Sequence, residues 1–128
     1  MNLTPISNVR VGVLTPDGGA NQVPITESPF YIAAATASRE PYDAYLSVLK
    51  QVSGTPDEEM EYTDFVGLGC DIKLFGFKIR HPKIRFDEEL TCLDGHHRLA
   101  LLRHLHGPSI ALEITNNEVQ SVWVKSSK

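Results

Sequence analysis

A short apolar run passes directly into a helical leucine pattern through a single Asp-Gly step. The run at residues 90–93 has the length and surroundings of a strand. Residues 95–106 carry leucines at helical spacing, and Gly107 and Pro108 follow, which predicts where that helix ends. Such a junction points free backbone N–H groups and the positive end of a helix dipole at one place. The sequence therefore predicts an anion-binding corner at Asp94 and Gly95.

The pattern over the whole chain predicts an α+β fold, a small mixed β-sheet with about three helices packed mainly on one side. Helices are predicted from Pro41 to Gly54, from a capping box at Thr55 to Gly67 or Gly69, and over residues 95–106. Residues 29–35 are apolar and are compatible with either a strand or an irregular segment. Strands are predicted at residues 8–14, 22–26, 72–79, 83–86, 90–93, 109–115 and 119–124. Turns at residues 16–19, 87–89 and 116–117 predict that 22–26 pairs with 8–14, 90–93 with 83–86, and 119–124 with 109–115 as hairpins.

Size and charge restrict the class of protein. The 128 residues predict one domain, residues 1–128, in which the first forty are the least determined. The net charge of −4 disfavours nucleic acid as the main partner, because phosphate binding usually draws on a basic surplus. No signal-like or membrane-spanning run is present, so we expect a cytoplasmic protein without membrane contact. Cys70 and Cys92 are interpreted as small, buried, reduced thiols.

The predicted corner contains several groups that suit a phosphate. Gly95, His96 and His97 would present backbone N–H groups, and Arg98 would neutralise charge. On a helical wheel Arg98 falls within the buried arc, where a lone guanidinium is costly, so an anion must be close. That anion is either a ligand phosphate or a carboxylate of the chain, with Asp94, Glu88 and Glu89 as the candidates.

The neighbouring side chains leave alternatives open. Asp94 is either an N-cap for the helix or a ligand of a magnesium ion that bridges to phosphate. His96 and His97 fall largely outside the buried arc, so they either form a solvated face, donate to phosphate or move a proton. A zinc site is a further alternative that no standard ligand spacing supports. Its candidate ligands would be Cys70, His81, Cys92, His96, His97, His104 and His106.

Residues 93–100, Leu-Asp-Gly-His-His-Arg-Leu-Ala, join a predicted strand to a predicted helix, which is followed by a glycine and another strand. This order resembles the ParB/sulfiredoxin-like fold over about residues 72–115. Sulfiredoxins place a catalytic cysteine where this chain has His96, so the resemblance does not imply sulfiredoxin chemistry. ParB-type partition proteins carry an arginine-rich version that binds CTP, and those arginines are missing. The segment from Asp94 to Arg98 is most similar to ParB-like proteins that include nucleotide-dependent free serine kinases. That resemblance implies a motif that holds nucleotide phosphates and a separate glutamate that acts as base.

These observations together predict a nucleotide-binding protein that acts as a phosphotransferase on a small hydroxylated molecule. The expected ligand is ATP, ADP or CTP with Mg²⁺, and the metal would lie at Asp94. Asp94, His97 and Glu40 are the candidate catalytic residues, and Glu27 is a second candidate for the base. Two alternatives stay open: a ParB-like nuclease or DNA-binding module, and a non-catalytic structural domain in which Asp94 and Arg98 pair.

Overall fold

The computed structural model describes residues 3–53, 61–76 and 84–124. Within these residues the chain has an α+β fold, with one mixed sheet and four α-helices rather than about three. The helices are α1 Pro29–Thr36, α2 Glu40–Ser53, α3 Tyr62–Phe75 and α4 His96–His106. The strands are β1 Leu3–Pro5, β2 Arg10–Leu14, β3 Ala20–Pro24, β4 Arg85–Phe86, β5 Thr91–Asp94, β6 Ile110–Thr115 and β7 Glu118–Val124.

The seven strands lie in the order β1-β6-β7-β4-β5-β2-β3. β2 and β5 are parallel neighbours, with Val11 opposite Cys92, and the other neighbouring strands are antiparallel. A parallel pair requires a long connection, and α1, α2 and α3 lie in the chain between these two strands. The pairing places the N-terminal hairpin directly beside the strand that carries the Asp-Gly step.

The buried apolar side chains of the described residues form one core cluster. An aromatic group lies at its helical side, where Phe30 of α1 contacts Tyr42 of α2 and Phe65 of α3. α4 contributes Leu99 and Leu102, both fully buried. The core therefore fixes the axis of α4, and with it the position of the first turn of that helix.

Much of the predicted pattern is confirmed. α2 and α4 form within one residue of their predicted bounds, and β4 and β5 pair as a hairpin. The β2–β3 hairpin also forms, with its second strand at residues 20–24 and not at the predicted 22–26. β6 and β7 turn at Asn116 and Asn117, whose φ angles of 54° and 65° are the left-handed values that a tight hairpin needs. Asparagine tolerates these angles better than most residues, which is why the sequence indicated the turn.

Residues 29–35 are helical, which resolves the segment that the sequence left ambiguous between strand and irregular structure. Ser28 is the N-cap, and its Oγ accepts a hydrogen bond from the Phe30 N–H at 3.2 Å. Pro29 occupies the first helical turn, where its missing N–H costs nothing. The Ser-Pro pair is thus a start signal that hydrophobic periodicity alone does not reveal.

The predicted end of the second helix at Gly67 or Gly69 is wrong, because α3 continues to Phe75 and ends at Gly76. Residues 72–75 therefore belong to a helix and not to the predicted strand. A Cβ at Gly69 would lie 3.1 Å from Leu101 Cδ2, so this glycine permits close packing of α3 on α4. The predicted capping box at Thr55 and the rest of the predicted strand lie outside the described residues.

None of the described helices combines the length and the apolar character that crossing a bilayer requires.

Candidate functional site

The junction between β5 and α4 is a sharp turn centred on Gly95. This glycine is the N-cap of α4 and has a φ of 90°, a conformation that other residues adopt only with strain. A Cβ at this position would lie 2.8 Å from Ile84 Cγ1 and 2.9 Å from Ile84 Cα. The turn and the contact with Ile84 both require glycine, so the fold alone accounts for Gly95 without a ligand.

The first turn of α4 has no side-chain cap among the described residues. The Gly95 carbonyl accepts from the Leu99 N–H, which starts the helical hydrogen-bond ladder. Among the described residues, no side chain accepts from the N–H groups of His96 or His97. Of the two alternatives for Asp94, the N-cap is therefore wrong. Asp94 Oδ2 instead lies 3.4 Å from Nη1 of Arg85, and both side chains are about half exposed.

A cleft of about 410 Å³ lies beside this turn. Its polar end contains Asp94, His96 and His97, and the start of α1 borders it at Ser28. The remaining walls are largely apolar and come from β2, β3, α1, α2 and β5. The lining residues are Val11, Gly12, Val13, Leu14, Ala20, Ser28, Pro29, Phe30, Tyr45, Leu49, Cys92, Leu93, Asp94, His96 and His97.

Two helix N-termini therefore meet at the cleft, but they differ in what their amides bind. Ser28 satisfies the Phe30 N–H of α1 with its own hydroxyl, and Pro29 has no N–H to offer. The amides of His96 and His97 have no such side-chain acceptor among the described residues. The positive end of α4 is consequently the place where a negatively charged group gains most.

His96 is partly buried at the edge of the cleft. Burial lowers its pKa below the ordinary value of 6.5, while the Asp94 charge and a hydrogen bond to the Cys92 carbonyl act in the opposite direction. The net direction is downward, so the imidazole is neutral at pH 7. The contact with Cys92 also fixes the ring against β5.

His97 packs inside the aromatic group and not on a solvated face, which corrects the helical-wheel prediction. Its ring stacks on Phe30 at a centroid distance of 4.2 Å and lies 6.0 Å from Tyr42 and 5.7 Å from Phe65. Burial, and secondarily the neighbouring His96, lower the pKa of His97 to about 4. Its Nε2 is buried and has no hydrogen-bond partner. His97 is therefore neutral at pH 7 and supplies no positive charge to a phosphate.

The other predicted site residues lie at varying distances from the cleft. Gly95 shapes the turn beneath it, and Arg98 is half-buried and is absent from the described lining. Glu40 is exposed in the first turn of α2 and does not reach the lining. Glu27 is also exposed, but it directly precedes Ser28, which borders the cleft.

The described residues offer little support for a zinc site. None of their histidine, cysteine, aspartate and glutamate side chains form a group of three that could hold a metal ion. His81, one of the predicted candidates, lies outside the described residues. A magnesium ion is more compatible, because it is commonly held by one or two carboxylates together with substrate phosphates. Asp94 is the carboxylate that the described lining provides for it.

The two cysteines have different environments, so the prediction that both are buried is half wrong. Cys92 is buried, and burial together with the Asp94 charge raises the pKa of its thiol to about 12. Its Sγ donates to the Asp94 carbonyl at 3.2 Å, which helps to hold the end of β5. Cys70 is exposed on α3. Cys92 is thus a structural thiol and not a nucleophile.

Sequence reasoning missed two residues of this region. The Leu14 N–H donates to Oη of Tyr45 at 3.0 Å, which ties α2 to β2 at the wall of the cleft. Arg85 was not singled out at all. The strand register places it opposite Asp94, a pairing that the predicted strands at residues 83–86 and 90–93 did not include.

No family model, curated protein or solved structure matches this chain. The resemblance to the ParB/sulfiredoxin-like fold therefore stays a prediction that depends on residues 94–98 and their strand–helix setting.

Proposed function

We propose that the protein binds a nucleotide in the cleft and transfers its terminal phosphoryl group to a small hydroxylated molecule. The phosphates would lie at the first turn of α4, against the amides of His96 and His97. The base would lie against the apolar wall that includes Leu14, Tyr45 and Leu49.

One observation carries this proposal. His96 and His97, whose amides have no side-chain cap among the described residues, line a cleft of about 410 Å³, a volume within the range of roughly 300–1,000 Å³ that is typical of small-molecule sites. Micromolar binding requires about 8 kcal/mol. A few hydrogen bonds to a charged phosphate, at about 1.5–3 kcal/mol each, supply most of that value, and burial of the base supplies the remainder.

The electrostatics of the site favour an anion through dipoles more than through full charges. Both imidazoles are neutral at pH 7, because burial lowers the pKa of each. The attraction therefore comes from the N–H groups and the helix dipole. It is independent of histidine protonation above about pH 6.5.

The chemical step is a phosphoryl transfer with balanced proton movement. The acceptor hydroxyl oxygen forms a bond to the terminal phosphorus while the bridging P–O bond breaks, and the shortened nucleotide leaves. The hydroxyl proton passes to a carboxylate. A magnesium ion at Asp94 would neutralise phosphate charge. The residue that receives the proton is then a second carboxylate, and Glu27 suits this role better than Glu40 because it adjoins Ser28 at the rim.

Titration calorimetry with ADP and with ATP, each with Mg²⁺, tests the binding step. Val13→Phe places extra volume at the wall of the cleft, and Val122→Phe makes the same change at another partly buried strand valine that is packed against the core. We expect the wild type and Val122→Phe to bind in the micromolar range and Val13→Phe to bind at least tenfold more weakly. Equal affinities in all three proteins, or no binding to the wild type, would refute the proposal.

Phosphorus NMR tests the transfer step separately. With ATP, Mg²⁺ and a set of small hydroxylated acceptors such as serine, we expect an ADP signal and a phosphate-ester signal that grow at equal rates. Glu27→Gln should abolish both signals while it leaves ADP affinity within about twofold. An ester signal that persists in Glu27→Gln would exclude this glutamate as the base.

A further inference from the structure

Arg85 and Asp94 form an ion pair at the polar rim of the cleft. They are opposite each other in the antiparallel pair β4–β5, and Nη1 of Arg85 lies 3.4 Å from Oδ2 of Asp94. Asp94 lines the cleft, one residue before the turn that starts α4. Arg85 thereby brings a positive charge to the rim, through a strand that the motif does not include.

The position of Asp94 creates an electrostatic conflict for an anion site. Its carboxylate belongs to the residue directly before the N-cap of α4, and it lines the same cleft as His96 and His97, whose amides would bind phosphate. An unpaired carboxylate beside these amides would repel a phosphate group and cancel part of the helix-dipole attraction. The ion pair with Arg85 reduces that repulsion.

We propose that Arg85 is a positioning residue that makes the α4 N-terminus able to bind an anion in the absence of a metal ion. It acts by neutralising and holding the Asp94 carboxylate. This inference rests on the proposed phosphate-binding function of the same site. It assigns to Arg85 a role that the motif from Asp94 to Arg98 does not contain.

A double-mutant cycle measured with ADP and EDTA tests the inference. The four proteins are the wild type, Arg85→Gln, Asp94→Asn and the double variant, compared by calorimetry at low ionic strength. Exposed pairs of this kind change an equilibrium constant by up to about fivefold. We therefore expect Arg85→Gln to bind ADP about fivefold more weakly, and the double variant to regain at least wild-type affinity. Arg85→Lys should keep the wild-type affinity within about twofold.

The rescue distinguishes this role from a purely structural one, since a misfolded Arg85→Gln protein would not regain affinity when a second residue is changed. Unchanged ADP affinity in Arg85→Gln overturns the inference. A double variant as weak as Arg85→Gln also overturns it, because Arg85 would then act on the anion without Asp94. If the wild type binds ADP neither with EDTA nor with Mg²⁺, the proposed function itself fails and the inference fails with it.

Discussion

His97→Phe separates the structural role of this histidine from its predicted catalytic role. The imidazole stacks on Phe30 among aromatic side chains, and its Nε2 has no partner. A phenyl ring can make the same stacking contact without a buried polar atom, and such an atom costs about 1–3 kcal/mol when unpaired. We therefore expect the variant to be at least as stable as the wild type at pH 7.

The pH dependence gives this prediction its magnitude. The folded protein holds the pKa of His97 at about 4, whereas the unfolded chain has the ordinary value of 6.5. Between these values the unfolded state binds more protons, so stability falls as the pH falls from about 6.5 to 4. The two pKa values correspond to a loss of about 2 kcal/mol between pH 7 and pH 5 that is due to His97.

Urea unfolding at pH 7 and at pH 5 measures this effect in the wild type, His97→Phe and His104→Phe. His104 is exposed on the same helix, so His104→Phe keeps His97 and should keep the pH-dependent loss that His97 causes. His97→Phe should lose about 2 kcal/mol less than the wild type over this interval. An unchanged pH slope would show that His97 is not held neutral by burial. A loss of several kcal/mol at pH 7 would show that its nitrogen is needed for the fold.

Three further predictions concern the structure around the site. Gly95→Ala should lower the free energy of unfolding in urea by about 2 kcal/mol or more, because it combines a left-handed φ with a contact to Ile84. Gly12→Ala is the control, since its Cβ would meet no atom within 4 Å, and an equal loss of stability in both variants would contradict this prediction. Asp87→Ala should cost about 1–2 kcal/mol in the same assay, because Oδ1 accepts from the Glu89 and Thr91 amides at 2.8 and 2.9 Å; a change under about 0.5 kcal/mol would contradict this account of the loop. In the native protein iodoacetamide should modify exposed Cys70 and spare buried Cys92, as mass spectrometry would show; equal labelling of the folded protein would mean that the end of β5 opens readily.

Hairpins and helix ends could be predicted from the sequence where a local signal agreed with the packing. The Asn116-Asn117 turn, the β5–α4 junction and the end of α4 at Gly107 belong to this group. The end of α3 was not predicted correctly, because Gly67 and Gly69 were interpreted as helix ends. Gly69 instead allows Leu101 of α4 to approach, a contact between elements distant in the chain that periodicity does not reveal.

At the site, the sequence located the turn but not the surroundings of its side chains. The helical wheel placed His97 outside the buried arc because it considers the apolar face of one helix and not the neighbouring helices. The aromatic rings that enclose His97 come from α1, α2 and α3. Arg85 was missed for a related reason, since it becomes a neighbour of Asp94 only through the pairing of β4 with β5. Cleft formation likewise depends on the parallel pairing of β2 with β5, which hydrophobic patterns do not specify.

The most direct test of the account follows the backbone amides of α4 in ¹H–¹⁵N NMR spectra during titration with ADP and Mg²⁺. We expect the His96 and His97 signals to shift in a saturable manner, with the same dissociation constant that calorimetry gives. Amides remote from the cleft, such as that of Leu112 in β6, should stay in place. Saturable shifts confined to residues away from the first turn of α4, or an absence of shifts, would contradict the claim that this helix end binds phosphate.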